Sequence, residues 1–436
     1  MNIFITGATG FIGNHVVKNL AKKGHSIRCL VGRGNHIQEL EKIQADLVWG
    51  DPRDRKILRE GMAGCNAVIH MAGIHSFWET DKKAYTAWNV HATKNVMETS
   101  LEAHVSRVIH MSSPYTYGRP ATSPFIEESP IGMYRFNEFS RTMLEGDRIS
   151  WNYFYKNDLP LTTFYPAIAL GPGRTHEDSS LISRFLNHPL IAKSCLNAVH
   201  SFVHVGDIAE AVARMLEKEE SIGEKYFISG ERMTLRRLLA NMSTIIGHRL
   251  PRTVIPELLA RSSAQIITFM AGRLDKTPPA AATPEYLLTM QNGMSADGTK
   301  AQKELGITYT PIIEAIREEI AYTQRAASIN EKRRSRRHAV NMDIVYKAQG
   351  ESSETRGRLS DISESGALIY TAMPCPKGRY LSINLSEKKE EGDAFLVRGH
   401  VVRSSAYGIA VDFTHKDRGI RQMVESRQRA AQQGSS

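Results

Sequence analysis

The sequence predicts an α/β domain built on a doubly wound parallel sheet, followed by an all-β domain of six antiparallel strands closed into a barrel. The α/β prediction comes from residues 1–170, where short β-branched runs alternate with helical stretches. The barrel prediction comes from a change of the hydrophobic period, from helical to two, after about residue 332. With 436 residues, the chain is also too long for one hydrophobic core.

Apolar runs that end in glycine, serine or proline mark the predicted strands of the first domain. These strands are Asn2–Gly7, Ser26–Val31, Ala67–Gly73, Arg107–Ser113 and Leu161–Pro166, and the first helix is Asn14–Lys23. The following residues give a mixed α/β pattern that ends in an amphipathic helix near Pro311–Arg325. We predict one domain over residues 1–325, with a small α/β subdomain mainly in residues 171–325, and a linker at residues 326–332.

The barrel prediction is based on six short runs of period two that are separated by Gly, Pro, Ser or acidic turns. These runs are Val340–Ala348, Thr355–Ile362, Ala367–Met373, Arg379–Leu385, Phe395–Ser404 and Tyr407–Phe413. We assign residues 333–425 to this domain and expect a polar helix near Lys416–Ala431. Residues 426–436, rich in Gln, Gly and Ser, are predicted to be a flexible tail.

The composition is that of a soluble globular protein, with 41% hydrophobic and 23% charged residues. The formal net charge is +10, and five of the basic residues lie within residues 332–337. Four cysteines are scattered without a C-x-x-C pair, so we expect neither a disulfide framework nor a metal site.

The longest apolar stretch, residues 255–274, is interrupted by Glu257, Arg261 and Arg273, so we predict that it does not span a membrane. A buried helix is the favoured interpretation, and an amphipathic lid is the alternative. Met1 leads directly into a strand without a signal peptide. We therefore expect a cytoplasmic protein.

The first turn carries the glycine pattern GATGFIG, in which Gly7, Gly10 and Gly13 surround Phe11 and Ile12. Glycines let the backbone approach a pyrophosphate, and the start of the next helix supplies unpaired N–H donors and the positive end of the helix dipole. A generic glycine turn is the alternative, but the position after the first strand of an α/β domain favours a dinucleotide site.

The second domain opens with an R-x-x-x-R pattern, Arg333 and Arg337, with Arg334 between them, and a D-x-S-x-x-G pattern follows at Asp361–Gly366. Arginine runs alone are usually solvated or bind phosphate without specificity. A guanidinium fork can also clamp phosphate or pair with guanine O6 and N7. Asp361 can accept from guanine N–H groups, Ser363 offers a small donor and acceptor, and Gly366 permits a tight turn. A ligand with two guanines and two phosphates would use all of these groups.

Residues 1–325 resemble the extended short-chain dehydrogenase/reductase superfamily, in its epimerase/dehydratase-like branch. The matching pieces are GATGFIG (7–13), WGDPRD (49–54), VIHMAG (68–73), NVHATKNVMET (89–99), HMSSPYTYG (110–118), YPAIALGPG (165–173), FVHVGDIAEA (202–211) and GEKYFISGERMT (223–234). The resemblance implies a Rossmann-like fold that binds NAD(P), with the subdomain holding the substrate. It places Asp51 near the adenine, Met71, Ala72 and Gly73 beside the cofactor, and Ser113 at the catalytic Ser/Thr position.

Cofactor choice depends on the end of the second strand, where NAD-selective relatives have an acid that binds the ribose. This chain has Gly32 and Arg33 there and no acid. Since Arg favours the 2′-phosphate, we prefer NADP over NAD. The alternative is that Arg33 faces solvent.

The Tyr and Lys of the family's catalytic pattern are replaced by Asn137 and Arg141, in the best register NEFSRTMLE. An Asn amide has no proton that titrates near neutral pH, so acid–base help of about 10²–10⁴-fold should be lost. Arg141 still supplies a fixed cation, but with a geometry unlike that of Lys. Tyr134, three residues earlier, is a candidate to rescue the chemistry if it reaches the site.

Residues 330–425 resemble a PilZ domain, the bacterial receptor module for cyclic di-GMP. The resemblance rests on the two motif halves, the barrel, the terminal helix and the segment SSAYGIAVDFT (404–414). It implies that Arg333, Arg334, Arg337, Asp361, Ser363 and Gly366 bind cyclic di-GMP. It also implies that the arginine segment becomes ordered on binding and reorients the two domains.

Three functions follow from these patterns. One is a cyclic di-GMP-responsive protein whose first domain binds NAD(P) but is catalytically weak or dead. Another is an active NADP-dependent reductase or epimerase for a sugar nucleotide, a sterol-like compound or an aldehyde, regulated by cyclic di-GMP. The third, nucleic-acid binding, is disfavoured because few aromatic residues accompany the basic run. The sequence leaves open a downstream protein partner and an oligomer.

Overall fold

The structure, a computed structural model, divides into two compact units, residues 1–323 and 324–436, which are described separately. The residues that it describes are 1–32, 35, 37–77, 79, 81–119, 122–134, 137–173, 195–247, 257–273, 283–332, 338–351, 353–371, 373–385, 396–405, 408–414 and 420.

The described part of the first unit contains ten strands and a series of helices, of which the last begins in this unit and ends after residue 323. The strands are β1 Asn2–Thr6, β2 Ser26–Val31, β3 Asp46–Trp49, β4 Ala67–His70, β5 Arg107–Met111, β6 Leu161–Pro166, β7 Ile168–Leu170, β8 Val199–His204, β9 Lys225–Ile228 and β10 Glu231–Thr234. The α-helices are α1 Phe11–Lys22, α2 Gln38–Lys42, α3 Arg55–Met62, α4 Lys82–Tyr85, α5 Ala92–Glu102, α6 Glu138–Asn157, α7 Val205–Glu217, α8 Leu235–Ile246, α9 Glu257–Arg273, α10 Pro284–Asn292, α11 Thr299–Leu305 and α12 Ile312–Lys332. A π-helical turn, Thr86–His91, joins α4 to α5, and 3-10 turns lie at Pro114–Tyr117 and Glu219–Ser221.

The main sheet is parallel throughout its described strands, in the order β3-β2-β1-β4-β5-β6-β9. Phe4 packs into a core cluster with residues of α3, α5 and α6. Its neighbours Ile3 and Ile5 are also fully buried and, because side chains alternate along a strand, they face the opposite side. Helices therefore cover both faces. The predicted Rossmann-like, doubly wound parallel sheet is confirmed.

The subdomain is built on a three-stranded sheet, β10-β8-β7, in which β8 is antiparallel to β10 and parallel to β7. Its core cluster joins Phe202 on β8 to apolar residues of α8, α9, α10 and α12. This small α/β unit agrees with the mixed pattern of the sequence.

The described part of the second unit forms a closed barrel of six antiparallel strands in the order β11-β12-β13-β16-β15-β14. The strands are β11 His338–Ala348, β12 Thr355–Ser363, β13 Gly366–Tyr370, β14 Tyr380–Asn384, β15 Leu396–Ser405 and β16 Gly408–Phe413. Alternate apolar residues fill the interior, and closure leaves no unpaired strand edge in the barrel wall. The predicted six-stranded barrel is confirmed.

Three elements differ from the sequence predictions. Helix α12 continues through residues 326–332, where a linker was predicted, because AASINEK contains no Gly or Pro to end it. Strands β3 and β9 were not predicted, and each has only four residues. The predicted tail and all of the predicted terminal helix except residue 420 lie outside the described residues. In the part of the chain that the structure describes, we find no helix that meets the length and hydropathy needed to cross a membrane.

Candidate functional site

The glycine turn between β1 and α1 forms a cradle that only glycine can line. Gly7 has a φ of +78°, and a Cβ there would lie 2.5 Å from the carbonyl carbon of Met71. A Cβ on Gly13 would lie 2.1 Å from the carbonyl oxygen of Gly7. Gly10 is the N-cap of α1, and no side chain caps this helix end. The turn therefore presents bare backbone and the positive end of a helix to whatever occupies the space above it.

A cavity of about 300 Å³ opens beside this turn, at the carboxyl ends of β1, β4, β5 and β6. The strand order reverses between β1 and β4, and ligands of doubly wound sheets bind at such a switch point. Seven residues predicted from the sequence line the cavity: Gly7, Gly10, Phe11, Ile12, Gly13, Met71 and Ser113. The structure thus brings the predicted cofactor turn and the predicted catalytic serine to one space.

Ala72 and Gly73 follow Met71 at the end of β4 but are not part of the cavity wall. The N–H of Ala72 donates to Oγ1 of Thr6 at 3.3 Å. A Cβ on Gly73 would lie 3.0 Å from Oδ1 of Asn89. These two predicted residues shape the loop that supports the cavity.

Asp51, predicted near the adenine, is engaged by a neighbouring arginine. Nε of Arg53 donates to Oδ1 of Asp51 at 2.9 Å, and Nη2 donates to Oδ2 at 2.5 Å. These hydrogen bonds from Arg53 lower the pKa of the Asp51 carboxyl group. Asp51 does not line the cavity, and Arg33 lies outside the described residues.

Ser113 caps the short turn Pro114–Tyr117. Its Oγ accepts from the N–H of Tyr115 at 3.4 Å, and its side chain lies in the cavity wall beside Ser112. The Tyr115 ring also lines the cavity, while its buried hydroxyl group has no hydrogen-bond partner among the described residues and burial raises its pKa. The chain therefore retains a serine hydroxyl at the predicted position.

Asn137 has a structural role in helix α6. Its Oδ1 accepts from the N–H of Ser140 at 2.8 Å, and the Ser140 side chain closes a reciprocal capping box. Its Nδ2 donates to Oγ1 of Thr289 on α10 at 2.8 Å. Asn137 is 8% exposed and does not line the cavity. Both ends of the amide are thus used to hold helices.

The cavity wall at this point is formed by Phe139, two residues further along the helix. Its ring centroid lies 5.6 Å from that of Phe77 and 6.1 Å from that of His75. An aromatic hydrocarbon therefore faces the space where a catalytic group was expected.

Arg141 and Tyr134 are also outside the cavity wall. Nε of Arg141 donates to Oε2 of Glu138 at 2.9 Å, and Nη1 donates to Oε2 of Glu145 at 3.0 Å. These two hydrogen bonds hold the guanidinium group along the half-exposed surface of α6. Tyr134, the proposed rescuer, precedes α6 and is 54% exposed.

In the barrel, the D-x-S-x-x-G residues form the hairpin between β12 and β13. Oγ of Ser363 accepts from the N–H of Ser365 at 3.3 Å and donates to the carbonyl oxygen of Gly366 at 3.2 Å. A Cβ on Gly366 would lie 2.4 Å from the carbonyl oxygen of Val411 on β16. Ser363 and Gly366 therefore define the hairpin and its close approach to the next strand.

Asp361 lies on β12, two residues before the Ser363–Gly366 turn of this hairpin. Its side chain lies on the outer face of the barrel, because its fully buried neighbour Ile362 points inwards. It is half-buried and pairs across the sheet with Ala339 and Leu368. Arg333, Arg334 and Arg337 lie outside the described residues.

The model of the NAD dependent epimerase/dehydratase family matches residues 3–229, more than half of the chain. The chain belongs to this family. The PilZ domain model matches residues 331–426, so the barrel unit is a PilZ domain. The predicted fusion of the two is confirmed.

Similar proteins align with about three quarters of this chain over almost their whole length. The sterol demethylase protein B of Methylococcus capsulatus is 25% identical over 333 residues, which are 74% of this chain and 98% of that protein. The 4-hydroxy-2-methyl-3-oxo-4-farnesyl-3,4-dihydroquinoline-1-oxide ketoreductase of Stigmatella aurantiaca is 26% identical over 330 residues, 73% and 96% of the two chains. The structure of UDP-glucuronic acid 4-epimerase from Bacillus cereus in complex with NAD is similar in fold, with a TM-score of 0.58 and 19% identity over 75% of this chain and 99% of that one.

Sequence reasoning missed several residues of the epimerase/dehydratase cavity. They are His75, Phe77, Met111, Ser112, Tyr115, Phe139, Pro166, Ala167, Ile168 and Ala169. Most of them follow the carboxyl ends of β4, β5 and β6, and this position is the signal that could have identified them.

Among the residues of this wall, His75 carries an imidazole that can titrate. The side chain is exposed to the cavity. Desolvation by the surrounding protein lowers the pKa of the ring, and a hydrogen bond with the Met71 backbone opposes this shift. The loop that carries it is held by Asn89, whose Oδ1 accepts from the N–H of Ile74 at 2.8 Å. At neutral pH, His75 therefore offers a neutral imidazole to a bound molecule.

Proposed function

We propose that this chain is a cyclic di-GMP-binding regulatory protein whose epimerase/dehydratase unit binds NAD(P) without performing the family's tyrosine-dependent proton transfer. One observation carries this proposal: the side chain at position 137 is an amide that caps α6 and donates to Thr289. It has no titratable proton, and its two polar atoms are directed at the protein. The geometry supports retained binding and lost acid–base chemistry.

The glycine cradle fits a dinucleotide. A pyrophosphate needs close approach of the backbone, and Gly7 and Gly13 permit a tight turn in which any Cβ would collide with the backbone of the protein itself. Phe11, Ile12 and Met71 would contact the remainder of the cofactor along the cavity wall. When bound, the cofactor would supply or accept a hydride. Arg33 favours NADP over NAD, while the similar Bacillus cereus epimerase structure contains NAD.

The PilZ domain supports cyclic di-GMP as the regulatory ligand. Asp361 lies on the outer face beside the hairpin that Ser363 and Gly366 define, so its carboxylate can accept from a guanine edge there. The proposed site also includes the guanidinium groups of Arg333, Arg334 and Arg337. They would bind the phosphates and stack on or pair with guanine.

A second candidate is an active NADP-dependent reductase or epimerase that cyclic di-GMP regulates. The cavity favours it because Ser113 and the imidazole of His75 both line the wall. The names of the similar proteins, a sterol demethylase and a farnesyl-quinoline ketoreductase, suggest an apolar carbonyl or sterol-like substrate. A sugar nucleotide is the other class, as in the UDP-glucuronic acid epimerase.

The proposal also includes a cytoplasmic location. Cys29, Cys65, Cys195 and Cys375 are buried free thiols, which are typical of proteins from reducing compartments. A downstream protein partner and an oligomer remain compatible with it.

Calorimetry tests the regulatory ligand. Arg337→Ala should abolish cyclic di-GMP binding because it removes a charge-assisted clamp on the phosphate. Arg379→Ala is the matched control, since this barrel arginine lies outside both motif halves and pairs with Glu351. Wild-type affinity in Arg337→Ala, or equal losses in both variants, would reject the assigned site.

Hydride transfer distinguishes the two candidates. The chain should oxidise NADPH with none of a panel of aldehydes, ketosteroids and UDP-sugars, with or without cyclic di-GMP. Turnover would establish the second candidate. Its loss in Tyr134→Phe would then identify the rescuing tyrosine, and its loss in His75→Gln would assign the proton transfer to the imidazole.

A further inference from the structure

Among the described side chains of helix α9, five large apolar ones are exposed and two alanines are buried. Ala260 and Ala264 are 7% and 1% exposed and join the core cluster of the subdomain. The large residues are between 41% and 64% exposed: Leu259, Ile266, Ile267, Phe269 and Met270. The favoured sequence interpretation of a buried helix is therefore wrong for this face. An ordinary surface helix places its large apolar residues inwards.

The exposed residues form one stripe. Leu259, Ile266 and Met270 are separated by seven and four positions, which places them on the same side of the helix. Phe269 adjoins this stripe, and the guanidinium of Arg273 lies 5.1 Å from the centroid of its ring. An apolar surface of this kind on a soluble unit marks a place of association.

The sequence around α9 carries the positive charge of the first unit. Residues 248–282 contain five basic and two acidic residues, whereas the remainder of residues 1–323 contains 31 of each. A second copy of the chain on this surface would bring like charges together. An anionic surface would be attracted.

We propose that α9 docks on an anionic phospholipid membrane, lying in the plane of the interface with its apolar stripe among the acyl chains. Helices with an apolar face and basic neighbours bind lipid surfaces in this way. Arg273, stacked on Phe269, would direct its charge towards the phosphate headgroups while its stem stays with the apolar residues. The helix has 17 residues and a length of about 25 Å, which suits lying on the surface.

Vesicle sedimentation of the full-length protein tests this proposal. The wild type should sediment with vesicles of phosphatidylglycerol and phosphatidylcholine, and much less with phosphatidylcholine alone or at high salt. Ile266→Ser combined with Phe269→Ser should weaken the partition by about tenfold or more. Tyr155→Ser is the matched control, because it removes an aromatic side chain that is 72% exposed on α6. It should leave the partition unchanged.

The double variant keeps the arginine run at residues 333–337, so it separates the helix from that second source of lipid attraction. Equal binding by the double variant and the wild type would overturn the proposal, as would wild-type binding that ignores lipid charge. Thermal unfolding must match the wild type, which the exposure of both substituted residues predicts. Self-association that the double substitution abolishes, with no vesicle binding in the wild type, would instead identify a contact between copies and also overturn it.

Discussion

At position 137 the sequence register predicts that an amide replaces the family's catalytic tyrosine, and the surroundings of this side chain show its structural role. The side chain caps the N-terminus of α6 and reaches across to Thr289 on α10. The sequence predicts only that acid–base chemistry is lost at this residue. The structure shows the contacts that the amide makes. Asn137 therefore contributes to the packing of two helices at a position where the sequence register predicts a lost catalytic group.

Asn137→Ala should lower the free energy of unfolding by about 2 kcal/mol, from the lost cap and the lost buried hydrogen bond. Urea denaturation measures this change. Thr289→Val is the matched control, since it removes the partner of Nδ2 and the hydrogen bond from Thr289 to the Glu285 carbonyl oxygen but leaves the cap intact, and it should cost less. An unchanged unfolding midpoint in Asn137→Ala would contradict the structural role.

Glu127 is a second residue with an unusual environment. It is 7% exposed, and its Oε1 accepts from the N–H of Phe227 at 2.7 Å. Burial raises the pKa of its carboxyl group to about 7, although the hydrogen bond from Phe227 opposes the shift. Between pH 4.5, the reference pKa, and about pH 7, Glu127 therefore keeps its proton in the folded protein. In the same window the unfolded chain has released this proton.

Because the folded state binds the extra proton, the stability contributed by Glu127 is fully present below pH 4.5 and is lost as the pH rises to about 7. In Glu127→Gln this loss should vanish. Between pH 5 and 8, the wild type should lose on the order of 2–3 kcal/mol relative to the variant. Urea denaturation at both pH values measures the difference, with the exposed neighbour changed in Glu128→Gln as control. Parallel pH profiles for wild type and Glu127→Gln would refute the assignment.

At the scale of elements, the β1–α1 turn determines where a cofactor can approach. Gly13→Ala should weaken NADPH binding by about tenfold or more, because its Cβ would collide with the Gly7 carbonyl group and displace the cradle. Fluorescence titration with NADPH measures the affinity. Gly24→Ala is the control for general destabilisation, since the φ of +82° at Gly24 strains any side chain while no atom lies within 4 Å of its would-be Cβ. Unaltered affinity in a folded Gly13→Ala protein would remove the turn from the proposed cofactor site.

The elements with long hydrophobic signals were predicted well. Strands β1, β2 and β6 and all six barrel strands lie within a few residues of their predicted positions, because each carries a clear periodic run. Strands β3 and β9 were missed because four residues carry too little pattern. The linker at 326–332 was predicted from sequence position, and its residues continue α12. The lack of Gly and Pro in this segment was the local signal for the continued helix.

The candidate site was only partly predictable for a related reason. Gly7, Gly13, Met71 and Ser113 belong to recognisable motifs, and the structure places them in one cavity. His75 and Phe139 carry no motif, and they reach the wall through the tertiary packing of a loop and a helix. The exposure of α9 likewise depends on which of its faces meets α10, which periodicity alone does not reveal.

At the scale of the whole molecule, the chain carries two proposed nucleotide sites on two separate units. If cyclic di-GMP alters the affinity for NADPH by some factor, NADPH must alter the affinity for cyclic di-GMP by the same factor. We expect such coupling, since a regulatory role requires it. Calorimetric titration with each ligand, alone and at saturation of the other, measures both factors.

Arg337→Ala and Gly13→Ala serve as controls for this experiment. Arg337→Ala should abolish the effect of cyclic di-GMP on NADPH binding, and Gly13→Ala should shift the effect of NADPH on cyclic di-GMP binding to higher NADPH concentrations. Affinities that do not change in the presence of the second ligand would mean that the two units act independently.

The Asn137–Thr289 hydrogen bond also has a consequence for any attempt to restore the family's chemistry. Exchanging Asn137 for tyrosine would remove the cap of α6 and its tie to α10 before any activity returned. Such a variant would unfold more readily while still carrying Arg141 at the predicted lysine position. Under the proposed function, tyrosine-dependent catalysis could therefore be rebuilt only together with a new packing between these two helices.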